Sequence, residues 1–441
     1  MTGTRVGSEV ERDVLGAIRR PGWRWLLGLA VSGLLAVLLH VLWGALIVRG
    51  LGLTGLNNPV GWAVLITNFV FWVGIAHSGT LISAVLFLFR ARFRTSFNRS
   101  AEAMTVFAIL VAGMFPLIHL GRVWVFYFLL PYPIERLIWP NFRSPLPWDV
   151  FAVTTYLIVS VVFFYVGMIP DLALARRHLP GLRGRIYAVL SLGWQGTGEQ
   201  WRHYARLYLF LAAFATPLVA SVHSIVSWDF AVSIVPGWHT TIFAPYFVAG
   251  AILSGTAMVL TLSIPMRRWL GLEAHMPIDH YEGIAKILLF TSLLVGYTYV
   301  VEQGLSLYGP SPFERDQYAF RAFGPYRGLF WLMVVCNAIL PLTLFLRRAR
   351  RSLPWLFVLG ILVNVGMWTE RFVLIVASLS HDFDPYAWGT YSPTRYEIGI
   401  TAGSFGLFFL FFLLFSRLLP VIAITESKQA LADRAGEEGT P

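Results

Sequence analysis

The chain has 441 residues, of which 57% are hydrophobic and only 13% charged, against about 25% charged in a soluble domain. Burying that much apolar surface in water is excluded, so the solvent of this fold is lipid. A net charge of +11 would raise nucleic acid as a partner in a soluble protein, but here the arginines stand in short clusters between apolar runs, the pattern of topology signals.

The N-terminal segment 1–24 carries Arg5, Arg12, Arg19, Arg20 and Arg24 and has no small-residue cleavage site, so the first span is expected to be retained. With roughly 20 apolar residues needed to cross the hydrocarbon core, spans are predicted at 25–48, 59–90, 103–129, 148–169, 204–226, 238–265, 283–303, 326–346, 353–376 and 397–420. Ten spans put both termini on one side. Most of the 34 Lys and Arg fall in segments on that side, including the Arg347, Arg348, Arg350, Arg351 cluster, whereas the 225–237 connection has none. The positive-inside rule makes the side of the termini cytoplasmic.

Span two reads Ala76-His-Ser-Gly-Thr80 and span six Ile252-Leu-Ser-Gly-Thr256. Four spans separate them, so they share one orientation. The expected fold is an all-α membrane protein of about ten transmembrane helices, with two parallel four-helix bundles flanked by one helix at each end. The predicted division is a cytoplasmic segment 1–24, a first helix and loop 25–58, bundles 59–226 and 227–376, an outer loop and last helix 377–420, and a cytoplasmic tail 421–441. The small residues of the motif equally suit close packing between helices, and both readings stay open.

Ionisable residues at membrane depth are functional candidates. His119 and Arg122 stand at i and i+3 at the outer end of span three, hence on one helical face. Asp149 opens span four on the same side. An imidazole that takes a hydroxyl proton, a carboxylate that relays it and an arginine that tunes the carboxylate suit a quinol. The alternatives are a helix-to-helix hydrogen bond for His119, an interfacial anchor for Arg122 and an N-cap for Asp149.

A second group on that side comprises His223, Asp229, His239, Tyr297, Tyr299 and Glu302. It reads as a polar rim with its aromatic belt, or as a related cavity in the second bundle. His77 near mid-membrane and Glu102, Asp171, Glu282 and Lys286 at the cytoplasmic ends are candidates for a proton path. Glu370 and Arg371 are adjacent on span nine and project about 100° apart on a helix, so each is expected to find its partner on another helix. Cys336 is the only cysteine, and there is no Cys-x-x-Cys-His. A c-type haem or iron–sulfur cluster would therefore belong to a partner. No span carries two histidines, so no metal or haem site is expected in this chain.

The segments Gly55-Leu-Asn-Asn-Pro-Val-Gly-Trp, Asn68 to Ala84, and Phe115-Pro-Leu-Ile-His-Leu-Gly-Arg resemble the NrfD/PsrC-type membrane subunits. Phe142-Arg-Ser-Pro-Leu-Pro-Trp-Asp-Val-Phe-Ala and Tyr165-Val-Gly-Met-Ile-Pro-Asp-Leu-Ala are similar to the version in bacterial alternative complex III. The resemblance implies the ActC-type subunit of a quinol-oxidising respiratory or photosynthetic complex in the bacterial cytoplasmic membrane. It would bind menaquinol near the outer face beside an iron–sulfur subunit, with multihaem cytochrome c subunits and a paralogous NrfD-type membrane subunit as further partners. Proton translocation is a further expectation. The family's histidine and aspartate fall on His119 and Asp149, with Asp229 a candidate from the second bundle. The other readings are a non-catalytic anchor of the ActF type and a proton-coupled small-solute transporter.

Overall fold

The computed structural model describes residues 10–16, 22–130 and 145–428. Among the described residues, ten helices are long and apolar enough to cross a membrane. In chain order they are α1 (Trp23–Arg49), α2 (Val64–Leu88), α3 (Asn98–His119), α4 (Pro145–Ala175), α5 (Gly198–Ala231), α6 (Phe243–Trp269), α7 (Ile278–Tyr308), α8 (Arg327–Phe345), α9 (Leu353–Ser380) and α10 (Arg395–Leu418). Every expected span has its counterpart, and the all-α membrane class holds. Large apolar side chains such as Leu34, Phe210, Phe290 and Phe345 stay exposed on the outside, as a lipid solvent allows.

Local sequence sets the helix ends. At the start of α5 the Thr197 hydroxyl accepts from the Gln200 N–H, and the Gln200 side chain accepts from the Thr197 N–H. This reciprocal cap recurs at α10 between Thr394 and Glu397, satisfying backbone donors that the first turn leaves free. The apolar run 103–129 does not stay helical to its end. Gly121 takes φ +69°, a left-handed conformation that glycine adopts without a Cβ clash, and α3 stops at His119. Residues Val123–Leu129 form a separate tighter helix.

Helices α2, α3, α4 and α5 pack as a closed ring, and α6, α7, α8 and α9 pack as a second. The rings meet chiefly where α2 lies along α6. There the two Ser-Gly-Thr motifs work as contacts: a Cβ on Gly255 would overlap Ser78 Oγ, and one on Gly74 would sit 3.5 Å from Ser254 Oγ. Outside the rings, α1 pairs with α10. Gly399, Gly403 and Gly406 on α10 receive Leu42, Leu39 and Leu35 of α1, a small-residue seam of the kind that lets membrane helices approach closely.

Among the described residues, three helices each carry one wide turn, at Leu81–Val85 in α2, Val335–Ile339 in α8 and Val373–Ala377 in α9. The first and last described segments meet at one face, where Lys428 reaches Glu11. That end is called here the terminal face, and the opposite end the far face.

Candidate functional site

At the far face, the first ring encloses a cavity of about 560 Å³. Its walls are mostly apolar: Trp62 just before α2, Ile66 and Phe69 on it, Leu117 of α3, Phe126 and Leu129 beyond α3, and Val150 and Val153 of α4. Trp62 is held in place by the Phe230 and Trp238 rings, each 6.0 Å away between centroids. Three side chains bring acid–base chemistry to this wall, namely His119, Asp149 and Asp229.

His119 is the last residue of α3 and turns into the cavity because the chain leaves the helix immediately after it. Its Nδ1 is buried and has no hydrogen-bond partner among the described residues. Asp149 lies past the first turn of α4, which begins at Pro145. It therefore does not cap the helix. Asp149 is 7% exposed and so is Asp229, and the two carboxyls meet within hydrogen-bonding reach. Neither Oδ1 has another partner among the described residues. Buried polar atoms in folded proteins are nearly always paired, so three orphaned acid–base atoms around one apolar cavity are suited to a ligand with hydroxyl or carbonyl groups and a hydrophobic body.

The structure redistributes the other residues singled out in the sequence. Arg122 does not share a face with His119: the left-handed turn at Gly121 separates them, and Arg122 is exposed in extended backbone (φ −95°, ψ 98°) outside the cavity lining. Asp229 belongs to the first cavity and not to one in the second bundle, because α5 closes the first ring beside α4. His223 is no rim residue; it is completely buried, 4.7 Å from the His77 ring and 5.7 Å from Phe247. His239 is exposed, its Nδ1 2.9 Å from the Ser233 carbonyl. It lines a different depression of about 550 Å³, shared with Glu302 and Glu314 between α5, α6 and α7.

Tyr297 faces outward, but Tyr299 and Glu302 are buried. The Tyr299 hydroxyl donates to Glu370, which also receives Asn337 Nδ2 at 3.4 Å. Glu302 pairs with Arg321 at 3.1 Å. Glu370 and Arg371, expected to point apart, approach to 3.3 Å. Both are long enough to bend into the same interior, where the Arg371 guanidinium lies 4.0 Å above the Phe247 ring. Residues 130–147, which with the 225–237 connection are the expected docking face for an iron–sulfur subunit, lie largely outside the described residues.

Below the cavity, a buried polar column descends through the first ring. Six residues, about 9 Å of helix at 1.5 Å per residue, separate Asp229 from His223. His77 follows, its Nδ1–H donating to the Val73 carbonyl and its ring stacked on Tyr156 at 4.8 Å. The Tyr156 hydroxyl sits 2.7 Å from Thr80 Oγ1 and donates to the Ala76 carbonyl at 3.0 Å, an acceptor shared with Thr105 at 2.8 Å. One turn further along α3, Glu102 accepts from the Tyr208 hydroxyl at 2.9 Å and from Arg99 at 2.8 Å. Arg99 also reaches Asp171 at 3.2 Å and donates to the Gly167 carbonyl at 2.6 Å.

Two proton-path candidates fall outside this column. Glu282 and Lys286 sit on α7 at the terminal face of the second ring, where Glu282 binds Arg351 at 2.7 Å and lies 3.9 Å from Lys286. Conversely, Arg99, Tyr156 and Tyr208 were not singled out in the sequence. The available signal was the Arg99-x-x-Glu102 spacing, which puts an ion pair on one helical face.

Residues 52–381 match the model of the family described as polysulphide reductase, NrfD. The chain is 27% identical to a Halobacterium salinarum protein described as a membrane subunit of dimethyl sulfoxide reductase, over 93% of this chain and 94% of that one. It is 24% identical to the Hdr-like menaquinol oxidoreductase integral membrane subunit of Archaeoglobus fulgidus, over 74% and 73% of the two chains. Ten membrane-spanning helices and a family match over three quarters of the sequence lead to one assignment: the chain belongs to the NrfD polysulphide reductase family of membrane subunits.

Proposed function

We propose that this chain is the quinol-oxidising membrane subunit of a multi-subunit oxidoreductase, of the alternative complex III type, and that menaquinol is its substrate. The observation that carries the reading is the far-face cavity, whose apolar walls meet three buried acid–base atoms that have no other partner among the described residues. The menaquinol oxidoreductase protein of Archaeoglobus fulgidus among its relatives supports the substrate class.

A quinol bound with its ring between Trp62 and the start of α4 would present one hydroxyl to His119 and the other to the Asp149–Asp229 pair. Oxidation removes two electrons and two protons. His119 accepts one proton at Nδ1, and the carboxyl pair accepts the second, which keeps charge from building up on the substrate in a low-dielectric pocket. The electrons leave to an iron–sulfur subunit at the far face and from there to multihaem cytochrome c subunits. The far face is then the outer side, and the arginine-rich terminal face is cytoplasmic. An NrfD-type paralogue of this chain makes up the rest of the membrane part of the assembly.

The polar column from His223 to Asp171 gives a route for protons between the cavity and the terminal face, through His77 and Glu102. The deciding experiment is to purify the intact complex in mild detergent and identify its subunits and bound quinone. Co-purification of an iron–sulfur protein and multihaem cytochromes with menaquinone is expected. A chain that purifies alone, without redox partners, sinks the reading and favours a transporter.

A further inference from the structure

The column ends at the terminal face on a segment that follows the last span. Residues 421–424 after α10 turn back under the first ring and are 2% exposed or less, with the Val421 carbonyl accepting from the Ser100 hydroxyl at 3.0 Å. Thr425 then binds Asp171 twice, through its N–H at 3.1 Å and its hydroxyl at 2.8 Å. Glu426 accepts from Asn98 Nδ2 at 2.8 Å and pairs with Arg94 at 2.9 Å. From this position Glu426 acts electrostatically on Glu102, Asp171, Tyr204 and Tyr208.

The acids of this cluster differ in their access to water. The side chains of Arg99, Glu102 and Asp171 are 1 to 2% exposed, whereas that of Glu426 is 16% exposed. Glu426 is thus the acid of the cluster that touches both the buried network and the aqueous phase. The groups facing it are Arg94 before α3, Asn98, Arg99 and Glu102 on α3, Asp171 on α4, and Tyr204 and Tyr208 on α5.

We infer that the segment after α10 is the inner mouth of the proton route and that Glu426 is its entry residue, exchanging protons between water at the terminal face and the Asp171–Arg99–Glu102 cluster. Thr425 positions Asp171 for this exchange. A carboxylate at the mouth takes a proton from hydronium, its new O–H bond forming as the donor's O–H bond breaks, and hands the proton inward by the same exchange, so no oxidant, reductant or other co-reactant is needed. The inference rests on the proposed quinol reading only in that turnover drives the proton flow. The segment 421–426 is then a functional strap: a span that belongs to neither ring delivers an acid to the ring that holds the cavity.

The test uses the whole complex reconstituted in liposomes, with a pH dye on the side of the terminal face and quinol plus acceptor supplied. Glu426→Gln preserves the shape and an acceptor for Asn98. It is expected to reduce proton uptake from that side to the leak of empty liposomes, while quinol oxidation in detergent continues. Glu426→Asp should restore uptake, which a purely structural loss would not allow. Thr425→Val is expected to shift the pH profile of uptake without abolishing it. Wild-type uptake in Glu426→Gln overturns the inference, and so does a wild-type complex that oxidises quinol but takes up no protons on that face. Both leave the cavity reading standing, since that reading is tested separately, by quinol oxidation in His119 and Asp149 variants and by the subunits that co-purify.

Discussion

The carboxyl of Asp149 on α4 faces the carboxyl of Asp229 on α5 across the wall of the far-face cavity, although the two stand 80 positions apart in sequence. Two like groups this close in a buried wall behave as one unit that holds and passes on a proton. Replacing either by Asn should lower quinol-driven turnover by about 10²-fold in an assembled complex. The double variant should be little worse than either single one, because groups acting as a unit are not additive. Steady-state rates on the purified complex check this, and full activity in Asp149→Asn would remove the pair from the mechanism.

His119 and Arg122 are close in sequence but have different surroundings. His119→Ala removes the imidazole from the cavity and should cost about 10²-fold in turnover. Arg122→Ala alters an exposed side chain beyond the left-handed turn at Gly121 and should leave the rate within about twofold, as for most surface substitutions. Equal losses in the two variants would mean that the α3 end is helical through Arg122 in the working complex.

Gly113 lines the cavity, and a Cβ built there meets nothing within 4 Å. Gly113→Phe therefore starts from open space and puts a ring where the substrate would sit. The expected outcome is a raised KM for quinol and loss of bound quinone, with normal assembly. Gly255→Phe is the counter-case: any side chain there collides with Ser78 where the two rings meet. That variant should fail to assemble, since overpacking of a filled contact costs about 1–3 kcal/mol or more.

The ten spans could be read from composition because a lipid solvent leaves few alternatives to helix. What the sequence hid depended on turns and on which helices become neighbours. The run through Val123-Trp-Val-Phe-Tyr-Phe-Leu129 is as apolar as a span, and only Gly121 signals the break that takes Arg122 away from His119. Asp229 seemed to belong to the second half because it precedes α6 in the chain, whereas closure of α5 onto α4 brings it to Asp149. Arg99 was one more arginine of the basic face until the fold enclosed it between Glu102 and Asp171.

The orientation proposed from the arginine clusters is open to direct measurement. A reporter fused after Arg94 or after Arg185 should be cytoplasmic, and one inserted near Gly309 should be external. Arg185 found outside would invert the assembly and put the cavity on the cytoplasmic side, with its proton release reversed.

Arg99 offers the sharpest test of the polar column as a structural element. Its side chain is 2% exposed and serves two carboxylates that are themselves 1% exposed, Glu102 and Asp171. Removing the cation by Arg99→Met strands two buried acids, and breaking a buried ion pair in this way costs ~3–5 kcal/mol. A large fall in the thermal stability of the purified complex, or failure to assemble, is expected. Lysine is a point charge without the planar fork that lets Arg99 bind Glu102, Asp171 and the Gly167 carbonyl together, so Arg99→Lys should rescue only part of the loss. The triple variant Arg99→Met, Glu102→Gln, Asp171→Asn removes the charges together and should recover much of the stability while leaving proton flow abolished. Stability that stays low in the triple variant would mean that the guanidinium holds α3 to α4 by packing and its bond to Gly167, with the charges secondary.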